Sequence, residues 1–573
     1  MWARNLLFLG VCVAGLLAIG DQLLRRSRVE RPADFEPGRF ASVTPVAANK
    51  TWPSGNEPSD IGQMLARLNS EFRQHWQAKN LQVAPRADDL TIARRLSLAL
   101  TGTVPSVEEI RALEAVAPDD RLEWWISHLL EDRRHSDYLA ERLARAYVGS
   151  ENGPFIVYRR TRFARWLSDQ IEANTPYDEV VRRLIAEKGV WTGKPAANFI
   201  TATSDPNMDN QPDEVRLAGR TARAFLGMRI DCLQCHDDKL GNVNLGYGND
   251  SHSGTQADFH QLAAFFGPTK VGLVGVHDGG EAYQTKYLDA EKVEVVKPQV
   301  PFSAELAGNR GEQDQLREQL ARWVTHKNNK PFARATVNRF WALMFGQPLV
   351  DPIDDIPLES DDYPPGFELL ADDFTAHGYD VQRLVRLIAA SDAFTRDSRA
   401  EFEITTEHER TWAAFPLTRL RPEQVAGAVF QASSLSTVNG EAHVFQRVAM
   451  FGQTNQFVER YGDLGEDEFN DRSGTIPQRL LMMNGELVKE RTEQNPLMSA
   501  TTRISMLTNK PEKQVEIAYL ATLTRRPTEA ELKHFVARLA DTDGSDGDRR
   551  DRQDALEDLY WTLINSTEFS WNH

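Results

Sequence analysis

The sequence predicts a mainly α-helical protein, with two helical bodies and a small β insertion between them, after an N-terminal apolar helix and a linker. Three observations carry this. Apolar residues recur at three- and four-residue steps through most of the chain after Asp60. β-Branched runs concentrate in a short stretch between 267 and 303. One unbroken apolar run, Leu6 to Ile19, heads the chain. With 41% hydrophobic and 26% charged residues, the rest suits packed domains rather than disorder.

Residues 1–26 read as a signal peptide or membrane anchor. Arg4 precedes the apolar run, and Ala18-Ile19-Gly20 is a tolerable cleavage site. The run is short for a membrane span of about 20 residues. Leu23 and Leu24 would extend it to an anchor over 6–24, although Asp21 and Gln22 interrupt. Cys12 follows Val11, a poor context for lipid attachment. Arg25, Arg26 and Arg28 behind the run favour a cytoplasmic flank. That signal opposes the cysteine motif described below, whose chemistry belongs to an exported space. The balance favours export to the periplasm or cell envelope, cleaved or anchored.

Residues 27–59, rich in Pro, Gly, Ala and Ser, form a linker. The first body spans 60–266. Ile61, Leu65, Leu68, Phe72 and Trp76 mark one face of its opening helix. Ser106 and Glu109 form a capping box, and Trp124, Trp125, Leu129 and Leu130 an apolar face. Asp213 to Leu226 reads as a helix. In the insertion, 267–303, the runs Lys270–Val276 and Lys292–Val296 flank the turn signal Asp278-Gly279-Gly280 and predict a small β insertion or hairpin. The second body spans 304–573, with helical spacing over Leu316–His326 and Pro331–Phe345 and a second capping pair at Thr528 and Glu531.

The densest chemistry lies at Cys232-Leu-Gln-Cys235-His236, which takes two of the three cysteines. This order of thiol, two spacers, thiol and imidazole attaches haem c covalently, with His236 as the iron ligand. His252, His260 and His277 are downstream candidates for the second axial position; no methionine lies between Met228 and Met344. Other readings stay open: a Cys232–Cys235 disulfide, a redox-active thiol pair, or a non-haem metal held with Asp237 or Asp238. Too few cysteines exist for a four-thiolate zinc site. The loop Gly241–Asp258 and the acidic loop from Asp351 through Asp354, Asp355, Glu359, Asp361 and Asp362 leave calcium or another divalent metal open. Paired carboxylates there could also act as acid and base, with Asn338 and Arg339 as hydrogen-bond partners. Solvated surface loops are the plainer reading of both.

Net charge is −17, from 83 acidic and 66 basic residues, which argues against a nucleic-acid partner. There is no nucleophile elbow, P-loop or dinucleotide fingerprint, and no reaction or substrate is named.

Several stretches have the look of a known family. Phe225-Leu-Gly-Met-Arg-Ile-Asp-Cys-Leu-Gln-Cys-His-Asp237, Asp258-Phe-His-Gln-Leu-Ala-Ala-Phe-Phe266 and Ala93-Arg-Arg-Leu-Ser-Leu-Ala-Leu-Thr-Gly-Thr-Val-Pro-Ser106 resemble the planctomycete cytochrome-like domain of unknown function. Pro331-Phe-Ala-Arg-Ala-Thr-Val-Asn-Arg-Phe-Trp341, Leu349-Val-Asp-Pro-Ile-Asp-Asp355 and His377-Gly-Tyr-Asp-Val-Gln-Arg-Leu-Val-Arg-Leu-Ile388 resemble its companion, the planctomycete-specific domain. The resemblance implies an exported, mostly helical, two-part protein without an established activity, and carries Cys232, Cys235 and His236 over as haem-attachment positions. Family members continue with Asp-His-Pro-Phe; here Asp238, Lys239 and Leu240 follow Asp237, so the second histidine is missing. The leading expectation is a cytochrome-c-like redox or electron-transfer protein with a redox or envelope protein partner. The alternatives are a non-haem metal-dependent enzyme acting on envelope or polysaccharide material, and a non-catalytic envelope scaffold with a Cys232–Cys235 disulfide.

Overall fold

In a computed structural model, the described residues are 60–149, 158–204, 211–308, 315–438, 457–458, 460–461, 475–492, 500–540 and 546–573. They are mainly helical, with a few short strands. The N-terminal segment and Cys12 lie outside them. Among the described residues no helix is long and apolar enough to cross a membrane.

The opening helix, Asp60–Ala78, buries Met64, Leu68, Phe72 and Trp76, with Ile61 and Leu65 packed at the edge of the stripe. Its partner comes from far along the chain. Phe72 stacks on Trp341 with centroids 5.7 Å apart, and the Trp76 indole donates to the Thr411 carbonyl at 2.7 Å. Trp341 belongs to the helix Lys330–Phe345, in which 14 of 16 residues are buried, so this helix is the axis of the first core.

Two hydrophobic cores result, and neither is a contiguous half of the chain. The first draws residues from Met64 to Phe415. The second joins Leu98, Val104, Val107 and Ile110 to residues between Leu420 and Phe569. The helix Asp89–Thr101 serves both: Ile92, Ala93, Leu96 and Leu100 face the first core, and Leu98 the second. Both capping boxes form. Glu109 accepts from the Ser106 amide at 2.8 Å, and Glu531 from the Thr528 amide at 2.7 Å.

The shared helix carries two fully buried cations. Arg94 donates to the carbonyls of Thr522 (3.0 Å) and Phe569 (3.1 Å). Arg95 donates to the carbonyls of His573 (2.6 Å), Arg396 (2.5 Å) and Phe394 (3.3 Å), and lies 3.8 Å from the Phe415 ring centroid. Close by, the short strand Trp571–Asn572 pairs with Thr418–Arg419.

His135 is buried in the first core, with Nδ1–H donating to the Leu100 carbonyl at 3.1 Å. Burial pulls its pKa down to about 4. An unfolded histidine near 6.5 binds a proton that the folded state refuses until about pH 4, so stability present above pH 6.5 is lost as pH falls between these values, by about 3 kcal/mol in full. His135→Gln, which keeps an amide donor, is expected to flatten that part of the pH profile of urea midpoints between pH 7.5 and 4.5. An unchanged profile would mean that His135 already titrates normally.

The insertion differs from the expected hairpin. The run Lys270–Val276 folds on itself: Thr269–Gly272 pairs with Gly275–Asp278 around an exposed Leu273-Val274 tip. Gly275 supplies the left-handed residue (φ +87°) and abuts the Gly189 backbone, where any side chain would collide. Asp278-Gly279-Gly280 is not the strand-connecting turn; the Gly279 and Gly280 amides donate to the Pro268 carbonyl at 3.0 and 2.8 Å. Glu294–Val295, within the second run, pairs with Gln284–Thr285 instead.

Candidate functional site

The helix Glu214–Leu226 leads into the cysteine motif. Asp213 caps its start by accepting from the Arg216 amide (3.0 Å), and Gly227 ends it with φ +62°. A short 3₁₀ turn, Asp231–Gln234, follows. Leu233 is its buried anchor, while Cys232, Cys235 and His236 are all exposed and both thiols are free. The turn fits closely against two glycines. A β-carbon on Gly219 would lie 2.6 Å from Asp231 Oδ1, and one on Gly254 2.7 Å from Leu233 Cδ1.

His236 Nδ1 lies 2.8 Å from the Asp237 carbonyl, which can only accept. Nδ1 therefore carries the proton, and Nε2 is the ring nitrogen open to a ligand. The carboxylates beside it are already engaged. Asp237 accepts from the Gln256 amide (2.8 Å), and Asp238 from those of Leu240 (3.0 Å) and Val243 (2.6 Å). These bonds hold Asp238 below the usual carboxylate range. The Cys232 thiol is pushed up by partial burial and by the charges of Asp238 and Asp231.

The three downstream histidines have other work. His260 is 4% exposed, with Nε2 3.1 Å from the Gln234 carbonyl and Nδ1 2.8 Å from the Tyr283 hydroxyl. The carbonyl assigns the proton to Nε2, so Nδ1 accepts from Tyr283, and burial lowers the pKa of this neutral ring. Gln256 donates to the same Gln234 carbonyl at 3.0 Å. His260 and Gln256 thus hold the residue between the two cysteines. His252 is exposed beside Asp258 (3.4 Å), and His277 sits on a strand with Nδ1 3.0 Å from the Gly275 carbonyl. Among the described residues no group of three or more His, Cys, Asp or Glu could hold a metal ion. The Gly241–Asp258 loop is built round a two-residue strand pair, Asn244–Leu245 with His252–Ser253.

The acidic loop reaches the motif through Asp354. This carboxylate, 5% exposed, accepts from Arg223 Nε (2.8 Å) and Arg229 Nη2 (2.7 Å), and the two guanidinium groups hold its pKa down against burial. The Ile356 amide adds a bond to the Gly227 carbonyl at 2.8 Å. Asn338 does bind this loop, through the backbone of Val350 (2.7 and 2.9 Å) and Ile353 (3.3 Å). Arg339 makes no such bond among the described residues. Arg334 holds the Leu358 carbonyl at 2.7 Å instead. Sequence reasoning missed Arg223, Arg229, Arg334 and the use of His260. Arg229 and Asp354 fall inside family-like stretches and Arg223 lies just before one, but nothing in one sequence pairs positions 125 and 131 apart.

Between the motif segment and this loop lies a cleft of about 340 Å³, with Arg229, Asn242, Asn244, Ser251, Asp355 and Glu359 on its walls. The side chains present fit covalent attachment of haem, with two accessible thiols and an imidazole whose Nδ1 is already engaged. The adjoining cleft mixes charged and amide groups with Met228, Ile230, Val243, Ile356 and Leu358, and none of the three attachment residues lines it.

Two family models match the chain. Residues 68–271 match PSCyt2, a protein of unknown function (DUF1549), and residues 316–473 match PSD1, a protein of unknown function (DUF1553). No curated protein and no solved structure matches. With both models in that order, and more than half of its length matched, the chain belongs to the two-domain planctomycete family of unknown function.

Proposed function

We propose that the chain is an exported c-type haem protein that transfers electrons, with haem joined to Cys232 and Cys235 and ligated by His236. One observation carries the reading: two free thiols and an imidazole with an engaged Nδ1 are exposed together on one turn. Bound there, haem supplies one-electron chemistry. The chain's own residues present the attachment groups and fix the turn: Leu233 from beneath, His260 and Gln256 through the Gln234 carbonyl, and Asp354 through the two arginines. Exposure of the motif suits a redox or envelope protein partner, and export, with anchoring over 6–24 if that segment is retained, supplies the compartment. Co-expression with a cytochrome maturation system is expected to yield a haem-staining band on a denaturing gel, abolished by Cys232→Ser with Cys235→Ser. A folded, exported protein that stays colourless overturns the proposal.

A second reading, an envelope scaffold braced by a Cys232–Cys235 disulfide, draws on the same two exposed thiols lying three positions apart on one turn. Thiol titration of the denatured exported protein separates the two. Two free thiols without haem would count against both.

A further inference from the structure

The cleft beside the motif is not lined by Cys232, Cys235 or His236, yet its construction is specific. One wall is the segment Met228–Ile230, the second the loop Asn242–Ser251, and the third the stretch Asp355–Glu359. The second wall turns back on itself at Gly246, φ +85°, where a β-carbon would lie 2.3 Å from the Asp250 carbonyl oxygen. The third is held to the first by Asp354, which bonds Arg229, and by the Ile356–Gly227 backbone bond. The volume, about 340 Å³, lies at the lower end of small-ligand sites, roughly 300–1,000 Å³.

The lining selects a chemistry. Asn242, Asn244 and Ser251 offer both donors and acceptors, Asp355 and Glu359 offer acceptors, and Arg229 offers donors. Glu359 also steadies the neighbouring loop by accepting from the Gly248 amide at 3.2 Å. Asp354, Asp355 and Glu359 outnumber Arg223 and Arg229, so there is no surplus of positive charge for a phosphate, sulfate or uronate. An ammonium ligand would answer the carboxylates but offer no acceptor to the Asn242 and Asn244 amides on the wall. Hydroxyl groups answer both sets, and Met228, Ile230 and Ile356 give the same cleft an apolar contribution against C–H faces.

We infer that this cleft binds a short, uncharged stretch of carbohydrate, one to two sugar rings, independently of haem at Cys232 and Cys235. The test is isothermal titration of the full chain with maltose, cellobiose, xylobiose and N,N′-diacetylchitobiose, beside digalacturonate and putrescine. At least one neutral disaccharide is expected to bind with one-to-one stoichiometry. Asp355→Asn combined with Glu359→Gln, isosteric changes at exposed positions, should weaken it at least tenfold, and Cys232→Ser should leave it unchanged. In the unaltered chain, the bound sugar should slow hydrogen exchange over 242–246 and 355–359, a reading that does not depend on the variants folding. Overturning results are no binding by any neutral disaccharide, tighter binding of digalacturonate or putrescine, or binding without protection of those two segments.

Discussion

Arg95→Ala is expected to destabilise the fold by about 3–5 kcal/mol, the scale of breaking a buried charged interaction. The wild-type guanidinium is fully buried and answers three carbonyls from two distant stretches, Phe394 and Arg396 in one and His573 in the other, while stacking on Phe415. Alanine removes the charge but leaves those oxygens facing a cavity, each at about 1–3 kcal/mol if water does not enter. Burial depresses the Arg95 pKa, which measures how far the fold works against its own cation. Urea denaturation followed by tryptophan fluorescence gives the shift. Because the helix Asp89–Thr101 belongs to both cores, both should loosen in the same variant. A shift below about 1 kcal/mol, the level of an ordinary surface change, would show that the carbonyls find water.

The second large effect is expected at Asp354. Asp354→Ala removes the carboxylate that Arg223 and Arg229 share, with Asp231 still 3.9 Å from Arg223, and should cost about 2–3 kcal/mol, since both arginines are only partly buried. The larger consequence is local. Segment 227–236 loses its ion-pair tie to the acidic loop, and alkylation of Cys232 and Cys235 by a bulky maleimide, together with hydrogen exchange over 227–245, should accelerate severalfold. Asp354→Glu, with the carboxylate retained, should recover part of the tie. Unchanged exchange and alkylation in Asp354→Ala would show that Leu233, His260, Gln256 and the Ile356–Gly227 bond hold the segment without the ion pair.

Much of the local structure was legible in the sequence because its causes are local. Ser106 with Glu109 and Thr528 with Glu531 satisfy their own helix starts, and the opening helix carries its stripe in plain view. The Cys-x-x-Cys-His order is likewise local, and the structure places all three residues on one exposed stretch. The strands of the insertion were legible but their pairing was not, because Asp-Gly-Gly is a strong turn signal, whereas the actual tip, Leu273-Val274, has none of the usual turn residues. Gly275, one residue beyond, provides the bend. His260 was a plausible ligand by type, but a carbonyl between the two cysteines and a tyrosine hydroxyl occupy both of its nitrogens. The partition into two cores depends on contacts such as Phe72 with Trp341, which periodicity cannot register.

The arginine pair on the helix Asp89–Thr101 also sets an order of assembly. Arg94 finds the Phe569 carbonyl 475 positions later, and Arg95 finds His573 478 positions later. Until those residues are available, an emerging chain carries two cations meant for the interior with little to compensate them. Closing such long loops adds a modest entropic cost, but it makes folding slow and late. Both cores therefore wait on the last segment of the chain, where the Phe569 and His573 carbonyls flank the strand Trp571–Asn572.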